Sequence, residues 1–194
     1  AGEAVALAEG ERVLAELPSL ADSLAAARGK LTALPANGAA HNLAASLLAG
    51  AEQRMAAVQG LALAGALVGE ADALIAERGG TKKAKAETAV RETDRIIAMA
   101  NDRTGLLFEK VDDRLVPAGI FRREHAFLKP TVIPRTVWWA WFRDLEREDG
   151  WLRLSAAQGR TEERIERRAD GGARLHVLWK GLAPDTGGVE ARMT

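Results

Sequence analysis

Three histidines, His41, His125 and His176, are the side chains best suited to proton transfer or metal binding, and they lie far apart in the chain. Zinc and general-base motifs place histidines or carboxylates three or four residues apart on a helix, so that two ligands share one face. None of the three has such a neighbour. There is no cysteine, which excludes disulfides and thiolate ligands. The serines, Ser19, Ser23, Ser46 and Ser155, lie outside any G-x-S-x-G elbow. Gly79-Gly80-Thr81-Lys82-Lys83 has the residue types of a phosphate loop but not the spacing that wraps backbone amides around a phosphate. It fits a helix stop followed by a cap. Asp112-Asp113 and Glu162-Glu163 are adjacent pairs, which alternate in direction and sit in solvent rather than flanking a glycosidic bond. The sequence therefore implies no catalytic residue, no metal and no cofactor.

Two groups of cations could meet a phosphate backbone: Lys82, Lys83 and Lys85, and Arg160, Arg164, Arg167 and Arg168. Each is interleaved with acids, Glu87 in the first case and Glu162, Glu163 and Glu166 in the second, a pattern typical of a solvated, ion-paired surface. Net charge is zero, which argues against a dominant electrostatic partner. The first 80 residues hold 9 acids and 5 bases and the remainder 18 and 22, so any affinity for nucleic acid belongs to the second part. The other energetic patch is Trp138, Trp139, Trp141 and Phe142. On a helix from Thr136 to about Asp149, Trp138, Trp141, Phe142 and Leu145 share one face and Trp139 points elsewhere. The patch is thus a candidate interface as well as a candidate core.

The elements that must carry these residues are of two kinds. Every Phe and Trp lies at or after Phe108, whereas 25 alanines fall in residues 1–80. Small side chains let helices approach closely; large rings fill a compact core. This predicts an α+β protein with three parts. Residues 1–103 form a long antiparallel helical hairpin or three-helix bundle, coiled-coil-like in packing. Residues 104–183 form a small aromatic-rich unit with a short antiparallel sheet, and residues 184–194 a flexible tail. In the first part Leu14, Leu17, Ala21, Leu24 and Leu31 make an a/d-like seam, with a kink or a break expected at Leu17 before Pro18. Pro35-Ala36-Asn37-Gly38 is a turn, Ala39–Arg78 one long helix, Gly79-Gly80 its stop, and Thr81 the cap of a third helix to about Ala100. Gly65-x-x-x-Gly69 fits ordinary small-residue packing within the bundle, with a close helix approach as the alternative. The most apolar window, Met55–Val68, is about 14 residues, short of the roughly 20 that span a bilayer, so no transmembrane segment is expected.

In the second part, Leu106–Val111 and Leu115–Phe121 suit a hairpin, with Pro117 confined to an edge. Trp151–Ser155 is a short strand. Arg174–Lys180 is the clearest strand, because Leu175, Val177 and Trp179 alternate with Arg174, His176 and Leu178. Asp170-Gly171-Gly172 turns into it from Glu162–Arg168, which suits strand or helix. This order of parts (helical rod, helix at Thr136–Asp149, strand at Trp151–Ser155, hairpin at Asp170-Gly171-Gly172) resembles the plan of assembly-platform proteins of type II secretion and type IV pili. Those place a coiled coil before a small ferredoxin-like domain. The function expected is a non-enzymatic structural or assembly subunit of a secretion apparatus, phage particle or similar complex. Its contacts would be the helical seam (Leu14, Leu17, Leu24) and the aromatic patch. The alternatives are a nucleic-acid accessory protein using the two basic groups, and an enzyme with a site between the two parts.

Overall fold

The structure, a computed structural model, describes residues 2–58, 60–80, 87–122, 125–126, 139–143, 151–155, 159–182 and 190–194. It is a mixed α+β fold in which a layer of three helices covers one face of an antiparallel sheet and a second antiparallel sheet covers the other.

The helices are α1 (Gly2–Lys30), α2 (Ala39–Ala56) and α3 (Leu61–Arg78), with a 3-10 turn at Leu31–Ala33. The chain reverses where expected at Pro35–Gly38, with Gly38 N–H donating to the Pro35 carbonyl at 2.8 Å. Gly79 likewise ends α3, its N–H donating to Ile75 O. The expected single helix over Ala39–Arg78 is instead two. Gly60, at φ +66°, enters the left-handed region that glycine adopts without strain, and its carbonyl caps Leu63 and Ala64. The apolar window Met55–Val68 thus contains a turn, and Val58 is exposed within it. Among the described residues no helix is long and apolar enough to cross a membrane. The break expected at Pro18 is also absent, as α1 runs through it. Proline frees the carbonyl four residues back, and here that residue, Leu14, is 72% exposed, so water can take its place. The seam along α1 and the turn after it is Val13, Leu17, Leu20, Leu24, Ala27, Leu31 and Leu34; it keeps the expected Leu17, Leu24 and Leu31, whereas Leu14 and Ala21 face solvent.

Helix α2 is buried on all sides: no residue from Asn42 to Ala51 reaches the surface appreciably. That accounts for a run so short of charge and without a polar face.

The third helix expected after Thr81 is replaced by strands. The main sheet is a meander of β1 (Ala89–Glu92), β2 (Ile96–Ala100), β3 (Gly105–Val111), β4 (Arg114–Arg122) and β5 (His125–Ala126), in that spatial order. Two side-chain-built turns connect its first strands. Thr93 Oγ1 accepts from the Arg95 and Ile96 amides, and Asn101 Oδ1 accepts from those of Arg103 and Thr104. The boundary expected near residues 101–105 coincides with the second turn, and β2 and β3 pair across it from Ala100↔Gly105 to Ile96↔Glu109. The expected 106–121 hairpin is present, and Pro117 sits beside a bulge, where β4 has slipped register against Leu107/Phe108.

β2 is buried on both faces. Ile96, Ala98 and Ala100 meet the helices, while Ile97 and Met99 join Phe108, Leu115, Leu175, Val177 and Trp179 in a second core. The second sheet has the order β10-β9-β8, with β8 (Arg160–Arg167), β9 (Ala173–Lys180) and β10 (Ala191–Met193). So 160–167 is strand, and part of the expected flexible tail is strand as well. Its Ala191 and Met193 pack on the second core. Thr161 joins the sheets: its amide donates to Asp113 O at 2.8 Å and its hydroxyl accepts from Leu115 N at 2.8 Å. Lys110 adds ion pairs to Glu92 and Glu163. A third, two-stranded sheet pairs β6 (Trp139–Arg143) with β7 (Trp151–Ser155). The helix expected at Thr136–Asp149 is therefore corrected to a strand over 139–143. No helix follows residue 87 among the described residues, which departs from a ferredoxin-like alternation of helix and strand.

Candidate functional site

The outer face of the second sheet is lined mostly by charged side chains. Strand alternation decides which residues face outward. On β9, Leu175, Val177 and Trp179 point into the core, leaving Arg174, His176, Leu178 and Lys180 outside. The register sets Glu166 opposite Arg174, Arg164 opposite His176, Glu162 opposite Leu178 and Arg160 opposite Lys180. On the other side of β9, Arg192 stands opposite Leu178. Thr194 follows beside His176, its hydroxyl 3.3 Å from His176 Nδ1.

His176 is the hub. Its Nε2 lies 2.8 Å from Glu166 Oε2. A carboxylate only accepts, so Nε2 carries the hydrogen; in the neutral ring Nδ1 accepts from the Thr194 hydroxyl, and in the protonated ring it donates to it. The Glu166 carboxyl is held below its ordinary range, first by the His176 hydrogen bond and then, against some desolvation, by the charges of His176, Arg174 and Arg164. A carboxyl whose folded value is depressed stabilises the fold above its unfolded value, about 4.3, and that contribution disappears as pH falls through the folded value. Acid titration of thermal stability should therefore show a steeper fall below about pH 5 in the parent than in Glu166→Gln. Parallel curves would show that the pair contributes nothing.

Ion pairs on this face engage some of its charges, while Glu190 adds a carboxylate near Lys180 and Glu166 also feels Arg164 and Arg174. Lys180 takes Glu162 at 2.6 Å, Arg160 takes Asp113 at 3.3 Å, and His176 takes Glu166. Among the described residues Arg164, Arg174 and Arg192 have no carboxylate within ion-pair distance, and all three are exposed.

The residues singled out from sequence are only partly brought together. Of the basic group, Arg160 and Arg164 share the outer face. Arg167 has the opposite parity at the end of β8, and Arg168 pairs with Asp170 in the following turn at 3.2 Å. Lys82, Lys83 and Lys85 lie outside the described residues, as does Trp138; Trp139, Trp141 and Phe142 are in β6, opposite Ser155, Arg153 and Leu152. Leu24 is buried in the helical layer, Leu17 half-buried and Leu14 exposed. His41 is on α2, His125 in β5 and His176 on β9, and no set of three potential metal ligands clusters among the described residues. Arg174 and Arg192 escaped sequence reasoning, although the alternation of Arg174 and His176 with Leu175 and Val177 already placed Arg174 on a polar face.

Two other features resolve as structural. A cavity of about 400 Å³ between the 111–114 turn and β8 is lined by Asp112, Asp113, Arg160 and Glu163; Arg160 pairs with Asp113 there, and Lys110 with Glu163 and Glu92. Burial alone would lower the Lys110 pKa, but Glu92 and Glu163 together raise it, so its ammonium is a fixed strut between the sheets. Arg91 of β1 is gripped by two carboxylates of α3, Glu70 at 2.5 Å and Glu77 at 3.0 Å, which raise its pKa and pin the sheet edge to the helix.

No protein-family model, no curated protein and no solved structure matches this chain.

Proposed function

We propose that this chain is a non-enzymatic structural or assembly subunit of a multi-protein complex, and that α1 is the arm through which two copies pair. The carrying observation is how far α1 extends beyond its own support. Leu20 meets Gly65, with a Cδ1 3.9 Å from where a Cβ would stand. Lys30 binds Asp72 at 2.7 Å, and Gly80 N–H reaches Ala33 O. α1 thus runs alongside α3 in the same direction, and α3 begins at Leu61, only four residues before Gly65. Residues 2–15 project past that point, about 21 Å of helix at 1.5 Å per residue.

The same heptad seam runs through both portions. Leu24, Ala27 and Leu34 are buried by the helical layer, while Val13 and Leu17 continue the stripe only half-covered, beside the exposed Leu14. A seam that continues beyond its intramolecular partner is suited to a second helix with the same repeat, and the nearest such helix is α1 of another copy. The aromatic segment 138–142 stands as a second contact surface on its composition.

Sedimentation equilibrium tests this. The expected result is a concentration-dependent rise to dimer mass, with Leu17→Glu weakening association about tenfold or more. Because the chain has no cysteine, Leu14→Cys introduces a unique thiol that should crosslink two copies. A monomer at every concentration would sink the proposal. A second reading, a nucleic-acid accessory protein, is favoured by the three unpaired arginines.

A further inference from the structure

We propose that the outer face of the β8-β9-β10 sheet binds the phosphodiester backbone of single-stranded nucleic acid through Arg164, Arg174 and Arg192, with His176 and Leu178 beneath the bases. The proposal goes beyond the assembly reading and is independent of whether α1 pairs.

The positions follow from the register. Strands lie about 4.8 Å apart and alternate residues about 6.8 Å along a strand. Arg164 is opposite His176, two residues from Arg174, which puts their backbones about 8 Å apart. Arg192 is opposite Leu178, four residues from Arg174, or about 14 Å away across one strand. The three guanidinium groups therefore border a strip rather than converge on one point. A single inorganic anion would engage one of them. An extended single strand presents a phosphate at every nucleotide along its length and can engage all three.

The middle of the strip is chemically different from its border. His176 is held by hydrogen bonds on both ring nitrogens, to Glu166 and Thr194, and is partly exposed. Leu178 lies two residues on and is not part of either core. A fixed imidazole, an apolar side chain and flanking guanidinium planes form the kind of sheet platform on which unstacked bases lie, while arginines take the backbone. Among the described residues this face has no large exposed apolar side chain that would insert among lipid chains. Five cations of this face (Arg160, Arg164, Arg174, Lys180 and Arg192) outnumber its three glutamates (Glu162, Glu166 and Glu190), so the acids offset the arginines only in part.

Fluorescence anisotropy of a labelled single-stranded oligonucleotide of about 12 nucleotides tests this on the full chain. At about 50 mM salt the parent should bind, and replacing Arg164, Arg174 and Arg192 together by Gln should weaken binding at least tenfold. For three phosphate contacts the slope of log affinity against log salt should flatten by about 2. The matching triple Lys variant should retain most of the binding. Arg103→Gln, at a remote side chain 86% exposed, should have little effect. All three arginines are at the surface, so melting curves of the variants should overlay that of the parent. The proposal is overturned if the parent does not bind, if the Gln variant binds like the parent, or if Arg103→Gln costs as much. Tighter binding to phosphatidylserine vesicles than to the oligonucleotide would reassign the face to a membrane surface and overturn it equally.

Discussion

Gly105→Ala is expected to destabilise the protein by about 3 kcal/mol and lower its melting temperature by roughly 6–12 °C. Gly105 opens β3 at the point where α2 crosses the sheet. A Cβ there would stand 2.2 Å from Ser46 Oγ and 3.0 Å from Ser46 Cβ. The second distance matters more. An Oγ can rotate away, at the expense of its 2.7 Å hydrogen bond to Asn42 O, but a Cβ moves only with the helix backbone. Moving α2 is costly because it is packed by α1, α3 and the sheet together, and interiors at native density have little slack. The contact is one step of a stripe. Asn42, Ser46, Gly50 and Arg54, four residues apart, face the sheet in turn. Asn42 donates to Asn101 O, Ser46 abuts Gly105, Gly50 lies under Leu107, and Arg54 reaches Glu109. Three of the four are small, and this sets the distance between helix and sheet.

A double-mutant cycle separates this explanation from a general loss of strand propensity. If the clash is the cause, Ser46→Gly should restore most of what Gly105→Ala loses, less about 0.5 kcal/mol for glycine within a helix. Ser46→Ala should restore little, since it keeps the Cβ. A coupling of about 1–3 kcal/mol between positions 46 and 105 is expected. Additive effects, measured by denaturant midpoints, would place the cost in β3 itself.

How much of this could be read from the sequence depended on whether one face of an element was wet. β9 was legible because Leu175, Val177 and Trp179 are buried while Arg174 and His176 are not, so alternation was written into the residue types. β2 was illegible because Ile96–Ala100 is buried on both faces. Without alternation, its two alanines blend into the alanine-rich helices before it and suggest a further helix turn. The long helix was over-read for a related reason. Gly60 turns the chain inside an apolar stretch, and nothing in the composition distinguishes a left-handed glycine from one that a helix tolerates. Trp139–Arg143 has apolar residues that suit a helical face, and only its pairing with Trp151–Ser155 makes it a strand. The candidate site was half visible. Arg164 was in a recognisable basic run, but Arg174 and Arg192 join it only through antiparallel register. The neutrality implied by interleaved acids holds only in part, because β9 and β10 add Arg174, Lys180 and Arg192 to the same face and only Glu190 with them.

Removing one partner of the Arg54–Glu109 pair should cost about 3 kcal/mol, while replacing both should cost far less. Arg54 is the one buried cation of the helical layer among the described residues, with its side chain 9% exposed, and it donates to Glu109 Oε2 at 2.6 Å. The guanidinium lies beneath the turn between α2 and α3, where a Cβ on Gly60 would come within 2.9 Å of Nη1. Arg54→Met keeps much of the stem volume but leaves the Glu109 carboxylate on the sheet without its cation. Glu109→Gln leaves the more deeply buried charge, and should be the costlier change. Glu109 is 23% exposed, and access to water keeps either penalty near the lower end for a buried pair. In the double variant Arg54→Met with Glu109→Leu no charge is stranded, and stability should return to within about 1 kcal/mol of the parent. If Arg54→Met alone melts with the parent, solvent already screens the pair, and the α2–α3 turn is held by Gly60 and its packing instead.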